Sequence, residues 1–322
     1  MKQHSPQNLQ QIQIDKIQIL TDIDKTHQST VIINLIKYES QIMVQKSILL
    51  SSLQTQKQIE HLHNEKQALH ELNYPSINKI IATNKDDLNI HLFLKFEKGM
   101  PLHKLLRNVG KLNTKFSTLF FIQILITFNY LHENGWLYRD LKASNVIITQ
   151  EFRIKLIDFG LAKKIEKGRT STFCGTIHSM PPEVIKNDGY EYDYSFDVYT
   201  IGILFYEMLV GKPPFGLNEQ GIEQKILEGI NEDQLSAIQD IKIREILKNL
   251  LSQNPEQRLS CQQLLQEDFI IQNNYIGILK FMENEEASLD GYKSDLYDEE
   301  IYLYCTQFAF EENDSDNDDF QF

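Results

Sequence analysis

The sequence predicts an α+β fold in two lobes, a small antiparallel-sheet lobe with one main helix followed by a larger, mostly helical lobe. Three observations carry this. All 14 glycines lie at or after Gly99, and the character of the chain changes there. Before it come short β-branched runs of strand length, with one helical stretch among them. After it come two strongly apolar helical segments, separated by short strands and motif-rich loops.

Taken in order, residues 16–20, 30–36 and 41–46 are β-branched runs that read as strands. Ile59, Leu62, Leu69 and Leu72 recur at helical spacing until Asn73, Tyr74 and Pro75 stop the helix. Residues 77–81 and 89–96 supply two more strands, and residues 116–132 and 198–210 the two apolar helices. Helical periodicity weakens from Gln262 onward. These boundaries give a polar extension over 1–15, a sheet lobe over 16–96, a hinge near 96–100, a helical lobe over 100–270 and a tail over 271–322. Ligands favour the cleft between such lobes.

The chain has 322 residues, 41% of them hydrophobic, so it can bury a sizeable core. Its formal charge of −13 is unevenly placed. Residues 283–322 hold 14 acidic side chains and one basic, Lys293, leaving 31 of each sign in residues 1–282. A neutral body with an acidic tail lacks the basic stripe that nucleic-acid binding needs. Three scattered cysteines (Cys174, Cys261, Cys305) suit neither a disulfide framework nor a zinc site, and they fit a reducing compartment. Residues 1–18 are polar and Gln-rich, without the apolar core of a signal peptide. The longest apolar run, 119–126, is interrupted by Gln123 and far too short for a membrane span. The expectation is a soluble, intracellular protein, cytoplasmic or nuclear.

The chemistry concentrates in two motifs, Tyr138-Arg-Asp-Leu-Lys-Ala-Ser-Asn145 and Asp158-Phe-Gly160. A hydroxyl attacking phosphorus needs a carboxylate to orient it and take its proton. It also needs a cation beside the transferring phosphoryl group and oxygen ligands for Mg²⁺. Asp140 suits the base, Lys142 the phosphate contact, and Asn145 with Asp158 the metal. Gly160 is expected to supply a φ that other residues resist. A lone Arg-Asp pair would be an ordinary surface loop; two ordered motifs at this separation are not.

These motifs resemble the protein kinase superfamily and, in it, the AGC group around the catalytic subunit of cyclic-AMP-dependent protein kinase. The resemblance runs from about Ile17 to the C-terminus. Its most group-specific pieces are Gln58-Ile-Glu-His61 with Asn64-Glu-Lys66, Thr127-Phe-Asn-Tyr-Leu-His132, Tyr138-Arg-Asp140 and Thr172-Phe-Cys-Gly-Thr176. It implies a Ser/Thr protein kinase using ATP and Mg²⁺ on protein substrates, with an upstream kinase or a regulatory subunit as further partners. It implies that Lys46 grips the α- and β-phosphates and that Glu65 holds Lys46. Val31 and Val44 would cover the adenine, Ile147 would lie beneath it, and Leu94 would stand at the gatekeeper position. Val44 is bulkier than the family's usual Ala.

The resemblance further makes Thr172 an activating phosphosite received by Arg139, Lys163 and His61. Thr176 would support Asp140 and Lys142, Glu183 would pair with Arg258, and Asp197 would hold the catalytic-loop backbone. Positions that read upstream arginines with carboxylates in the relative carry Pro101, Ser144 and Gln224 here. Phe173, Ile177 and Met180 suggest an apolar pocket after the phosphosite. Cys174 reads as an ordinary family thiol ahead of a redox switch. Phe320 and Phe322 resemble a tail motif that docks on the small lobe, with spacing one residue short, and Tyr297 a segment passing the adenine site. The main departure is the glycine-rich loop, whose place is taken by Asp24-Lys-Thr-His-Gln-Ser29, without glycine. Glycine lets backbone N–H groups approach phosphates, so a scaffolding domain that binds ATP weakly or not at all is the alternative reading.

Overall fold

The computed structural model describes residues 9–24, 30–165, 168–172, 175–186, 191–216 and 220–284. The small lobe is a five-stranded antiparallel sheet in the order β1-β2-β3-β5-β4. Its strands are β1 (Gln18–Asp24), β2 (Val31–Tyr38), β3 (Gln41–Leu49), β4 (Ile80–Lys85) and β5 (Asn89–Lys95). Helix α1 (Gln56–Glu71) is inserted between β3 and β4. It begins at a capping box, in which Thr55 accepts from the Gln58 backbone and Gln58 returns the favour to Thr55. The strand expected over 77–81 starts later, at Ile80; residues 74–78 instead turn against the other lobe, where Asn78 N donates to Leu156 O at 3.0 Å.

The N-terminal extension is less detached than its polarity suggests. Ile12 is buried among Ile36, Tyr38, Met43, Ala82 and Phe93. Gln10 N donates to Ile81 O and Asn84 Nδ2 to Ile12 O, both at 2.9 Å. One apolar side chain and these hydrogen bonds together lay a polar segment on the sheet.

The chain then crosses to the helical lobe through β6 (Gly99–Pro101), which pairs with β8 (Val146–Thr149), itself paired with β9 (Ile154–Leu156). A Cβ on Gly99 would stand 2.4 Å from Ile148 O, so this crossing requires glycine. The other elements are α2 (Leu102–Val109), α3 (Thr114–Glu133), β7 (Trp136–Leu137), β10 (Lys163–Lys164), α4 (Pro182–Lys186), α5 (Ser195–Val210), α6 (Ile222–Glu228), α7 (Glu232–Ser236), α8 (Ile241–Leu250), α9 (Cys261–Leu264), α10 (Asp268–Gln272) and α11 (Tyr275–Glu283). Helices α3 and α5 are apolar on every side because both run through the core, and Phe121 and Phe205 stack between them at 4.0 Å. The helical lobe does not stop at residue 270. Ile278, Phe281 and Met282 of α11 join the main core, and Arg153 takes its end by donating to Phe281 O and to Asn284 O.

Candidate active site

Local geometry first fixes the catalytic loop. Arg139 and Asp158 adopt left-handed backbone, at φ 67° and 60°. Such a conformation is costly for residues with a Cβ and persists only where the surroundings hold it. For Arg139 the holder is Asp197, fully buried near the start of α5, whose carboxylate accepts from Tyr138 N at 2.9 Å and Arg139 N at 2.8 Å. His132 Nε2 lies 3.0 Å from the same carboxylate. The Tyr138 hydroxyl donates to Ile157 O, and Ile157 N donates to Asn145 O, stitching the two motif loops together.

This corrects the expectation for Gly160. The left-handed residue in Asp158-Phe-Gly160 is Asp158. Gly160 serves by space: a Cβ there would meet Asp158 Oδ1 at 3.1 Å, beside Lys46 Nζ and Glu65 Oε2.

Asp140 is 6% exposed and sits under three donors. Lys142 Nζ and Asn145 Nδ2 reach its Oδ2 at 2.9 Å, and Thr176 Oγ1 reaches its Oδ1 at 3.0 Å. Lys142 also approaches Thr176 Oγ1 at 3.3 Å. Across the cleft, Lys46 Nζ stands 2.6 Å from Glu65 Oε1 and 3.0 Å from Asp158 Oδ1. Burial pulls the Lys46 pKa down, but the two carboxylates more than reverse this and hold it above the usual lysine range. Burial disfavours the charged form of Asp158, and Lys46 outweighs that, keeping the carboxyl below its ordinary value with help from the Gly160 N–H and the nearby Lys142 charge. Asp158 keeps 46% of its side chain accessible, and with Asn145 it offers the oxygen-donor chemistry that Mg²⁺ takes.

The sheet register brings the apolar positions partly together. Leu35↔Val44↔Leu94 and Val31↔Ile48 are cross-strand partners, as are Ile33↔Lys46↔Leu92, so Val31, Val44, Lys46 and Leu94 share one face. Ile147 belongs to the other sheet, opposite Pro101 and Lys155. Residues 25–29, where the glycine-rich loop is expected, lie outside the described residues, as do Phe173, Cys174, Tyr297, Phe320 and Phe322.

Around Thr172 the expected receivers divide. Lys163 Nζ donates to Thr172 Oγ1 at 3.1 Å and also reaches Glu60 Oε1 at 3.1 Å. Arg139, 1% exposed, is connected through Tyr192: its Nη1 donates to the Tyr192 hydroxyl at 3.0 Å, and that hydroxyl donates to Thr172 O at 2.5 Å. His61 Nε2 is buried without a hydrogen-bond partner. Burial and the charges of Arg139 and Lys57 lower its pKa. Sequence reasoning missed Tyr192 and His132, because neither stands inside a motif it quoted for chemistry.

Glu183 and Arg258 form a buried two-point pair at 2.8 and 2.7 Å. Of the residues expected to form an apolar pocket after the phosphosite, Ile177 and Met180 are among the described residues. Met180 is buried in a cluster with Leu137, Ile165, Val184, Tyr192 and Phe196, whereas Ile177 packs against the main core. Pro101 opens α2, Ser144 lies in the turn before β8, and Gln224 is exposed on α6, donating to Glu228 at 3.0 Å.

A five-stranded lobe with one helix, a helical lobe and this polar cleft between them define the kinase class of fold. Residues 21–270 match the model described as protein kinase domain, and the chain belongs to that family. Its similarity is to the AGC group of Ser/Thr kinases. It is 38% identical to cGMP-dependent protein kinase 2 of Homo sapiens over 226 residues, 70% of this chain and 29% of the relative. It is 38% identical to cAMP-dependent protein kinase catalytic subunit 3 of Drosophila melanogaster over 205 residues, 63% and 34% of the two chains. It is 41% identical to cAMP-dependent protein kinase catalytic subunit PRKX of Mus musculus over 172 residues, 53% and 48%. The matched stretch covers less than half of each of these relatives. Among the described residues, no helix is long and apolar enough to cross a membrane.

Proposed function

We propose that this chain is an active protein Ser/Thr kinase, transferring the γ-phosphoryl group of ATP to a protein hydroxyl. The observation that carries the reading is the Lys46 ammonium, held between Glu65 and Asp158, with the Asp158 loop tied to the Asp140 loop through Ile157 N and Asn145 O. A buried lysine kept cationic by two carboxylates is a phosphate anchor with its partners already in place.

In this reading Asp140 orients the attacking hydroxyl and takes its proton at a carboxylate oxygen. Lys142, 2.9 Å from Asp140, supports charge on the transferring group, and Lys46 holds the nucleotide phosphates. Asn145 and Asp158 would hold Mg²⁺, which when bound neutralises charge on the phosphate oxygens. Val31, Val44, Leu94 and Ile147 form the apolar surfaces for the base. Thr172 is the regulatory phosphosite in this reading: a phosphate adds nearly two negative charges, and Lys163, already bonded to the Thr172 hydroxyl, supports the assignment, with Arg139 and His61 as the further receivers the resemblance implies. The test is thermal unfolding with ATP alone and with Mg-ATP, together with phosphoryl transfer to Ser, Thr and Tyr peptides. A Mg-ATP-dependent rise in Tm and transfer confined to Ser and Thr are expected. Absence of both the shift and the transfer would leave the scaffold reading in its place.

Substrate choice follows from Pro101, Ser144 and Gln224. Uncharged groups cannot pair with guanidinium, and each Arg–carboxylate contact is worth about 1.5–3 kcal/mol. A positional-scanning peptide array is therefore expected to show little selection for paired upstream arginines. Strong enrichment of both would overturn this.

A further inference from the structure

Helix α1 carries Glu65, so its position decides whether Lys46 keeps a partner. The buried face of α1 packs into the main core through Ala68 and Leu69, and the helix also lies against β10, whose two lysines reach different parts of it. Lys163 Nζ lies 3.1 Å from Glu60 Oε1. Lys164 Nζ lies 2.6 Å from Oε2 of Glu71, the last residue of the helix. The two carboxylates are about 16 Å apart along the helix axis.

Glu71 is fully engaged. Its Oε2 also accepts from Trp136 Nε1 at 3.3 Å, and its Oε1 accepts from Gln67 Nε2 at 2.8 Å. Strand pairing sets Lys164 opposite Trp136, with the ammonium 5.8 Å over the indole. Both donors thus converge on one carboxylate from a shared β7–β10 ladder. A carboxylate at a helix C-terminus opposes the helix dipole, so Glu71 stands there at a cost to α1 taken alone. Burial raises its pKa, yet the Lys164, Gln67 and Trp136 hydrogen bonds outweigh that and keep it below the usual range. The lysines differ in their other duties. Lys163 also serves Thr172, so a phosphate there would draw it from Glu60. Lys164 is committed to Glu71 and the indole.

We propose that Glu71, Lys164 and Trp136 form a latch that holds α1, and with it the Glu65–Lys46 contact, in place without phosphorylation of Thr172. Glu71 is a positioning residue that acts through Glu65. The effect on nucleotide rests on the kinase reading above; the tethering of α1 does not.

The test uses the full chain in a Thr172→Ala background, with Glu71→Gln, Lys164→Met and the two combined. Trp136 is the only tryptophan and is 1% exposed, so its emission reports the latch directly. Either single variant is expected to shift that emission and to speed amide hydrogen exchange across residues 56–71 by about two- to fivefold, the size of a half-exposed ion pair. The double variant should go no further, because both changes remove one interaction. Mg-ATP affinity should fall by the same factor, and less when Thr172 is present and phosphorylated. Unchanged exchange over 56–71, or single-variant effects that simply add, would overturn the latch. A wild-type chain that binds no Mg-ATP would defeat the kinase reading alone, since exchange and emission still read the tether.

Discussion

Asp140→Ala is expected to lower phosphoryl transfer by about 10²–10⁴-fold, the usual contribution of a positioned acid–base group, while Mg-ATP still binds. The expectation rests on how firmly the carboxylate is held. Lys142, Asn145 and Thr176 each place a donor within 3.0 Å of it, and together they leave it no other position. Asp140 itself is not part of the Lys46–Glu65–Asp158 anchor, so binding and chemistry should separate. Steady-state kinetics on a Ser peptide, with thermal unfolding as the control for folding, is the measurement. Asp140→Ala retaining transfer within tenfold of wild type would move the base elsewhere. Asp140→Asn keeps the shape but not the basicity. It should lose transfer to a similar degree, which separates proton acceptance from simple positioning.

How much of this could be read beforehand depends on distance along the chain. Asp140, Lys142 and Asn145 fall within six residues, so one loop presents them and one motif reveals them. Lys46 and Glu65 were legible only through the kinase resemblance, with the strand followed by a helix as its local support. Contacts between distant segments were legible only where the resemblance carried them, as for Glu183 with Arg258 and Asp197 with the catalytic loop. Tyr192 reaches Thr172 across 20 residues, and Glu71 meets Trp136 across 65 and Lys164 across 93. No spacing rule joins such positions, because each looks like an ordinary surface residue in its own neighbourhood. The same holds for Ile12, one apolar side chain in a polar stretch, and for α11, whose weak periodicity hid the burial of Ile278, Phe281 and Met282. Gly160 was misread for a different reason. Sequence shows a glycine and not whether φ or space is its use; Gly160 lacks the left-handed φ, and a Cβ there would press on the Asp158 carboxylate at 3.1 Å.

Arg258→Ala is expected to cost about 3–5 kcal/mol of folding stability, the penalty for stranding one member of a buried ion pair. Both side chains are withdrawn from water, at 0% and 6% exposure. The guanidinium also donates to Ser195 O at 3.1 Å and Ser252 O at 2.9 Å, and lies 4.8 Å over the Tyr199 ring. Truncation therefore leaves Glu183 charged, buried and alone, and opens a cavity among three elements. Denaturant unfolding reads the loss; a change below about 1 kcal/mol would mean that water reaches the pair. The double variant Glu183→Leu/Arg258→Met should recover most of that stability, since apolar groups of similar volume often replace a buried pair without penalty. Recovered stability need not restore function. Glu183 lies in the first turn of α4, shortly after the segment that carries Thr172 and Thr176, and the two-point pair fixes the direction of that segment as well as its attachment. Packing between Leu and Met has no such direction. The double variant should therefore fold well and still show a raised KM for peptide, with Mg-ATP binding unchanged, because the anchor at Lys46 lies on the other lobe.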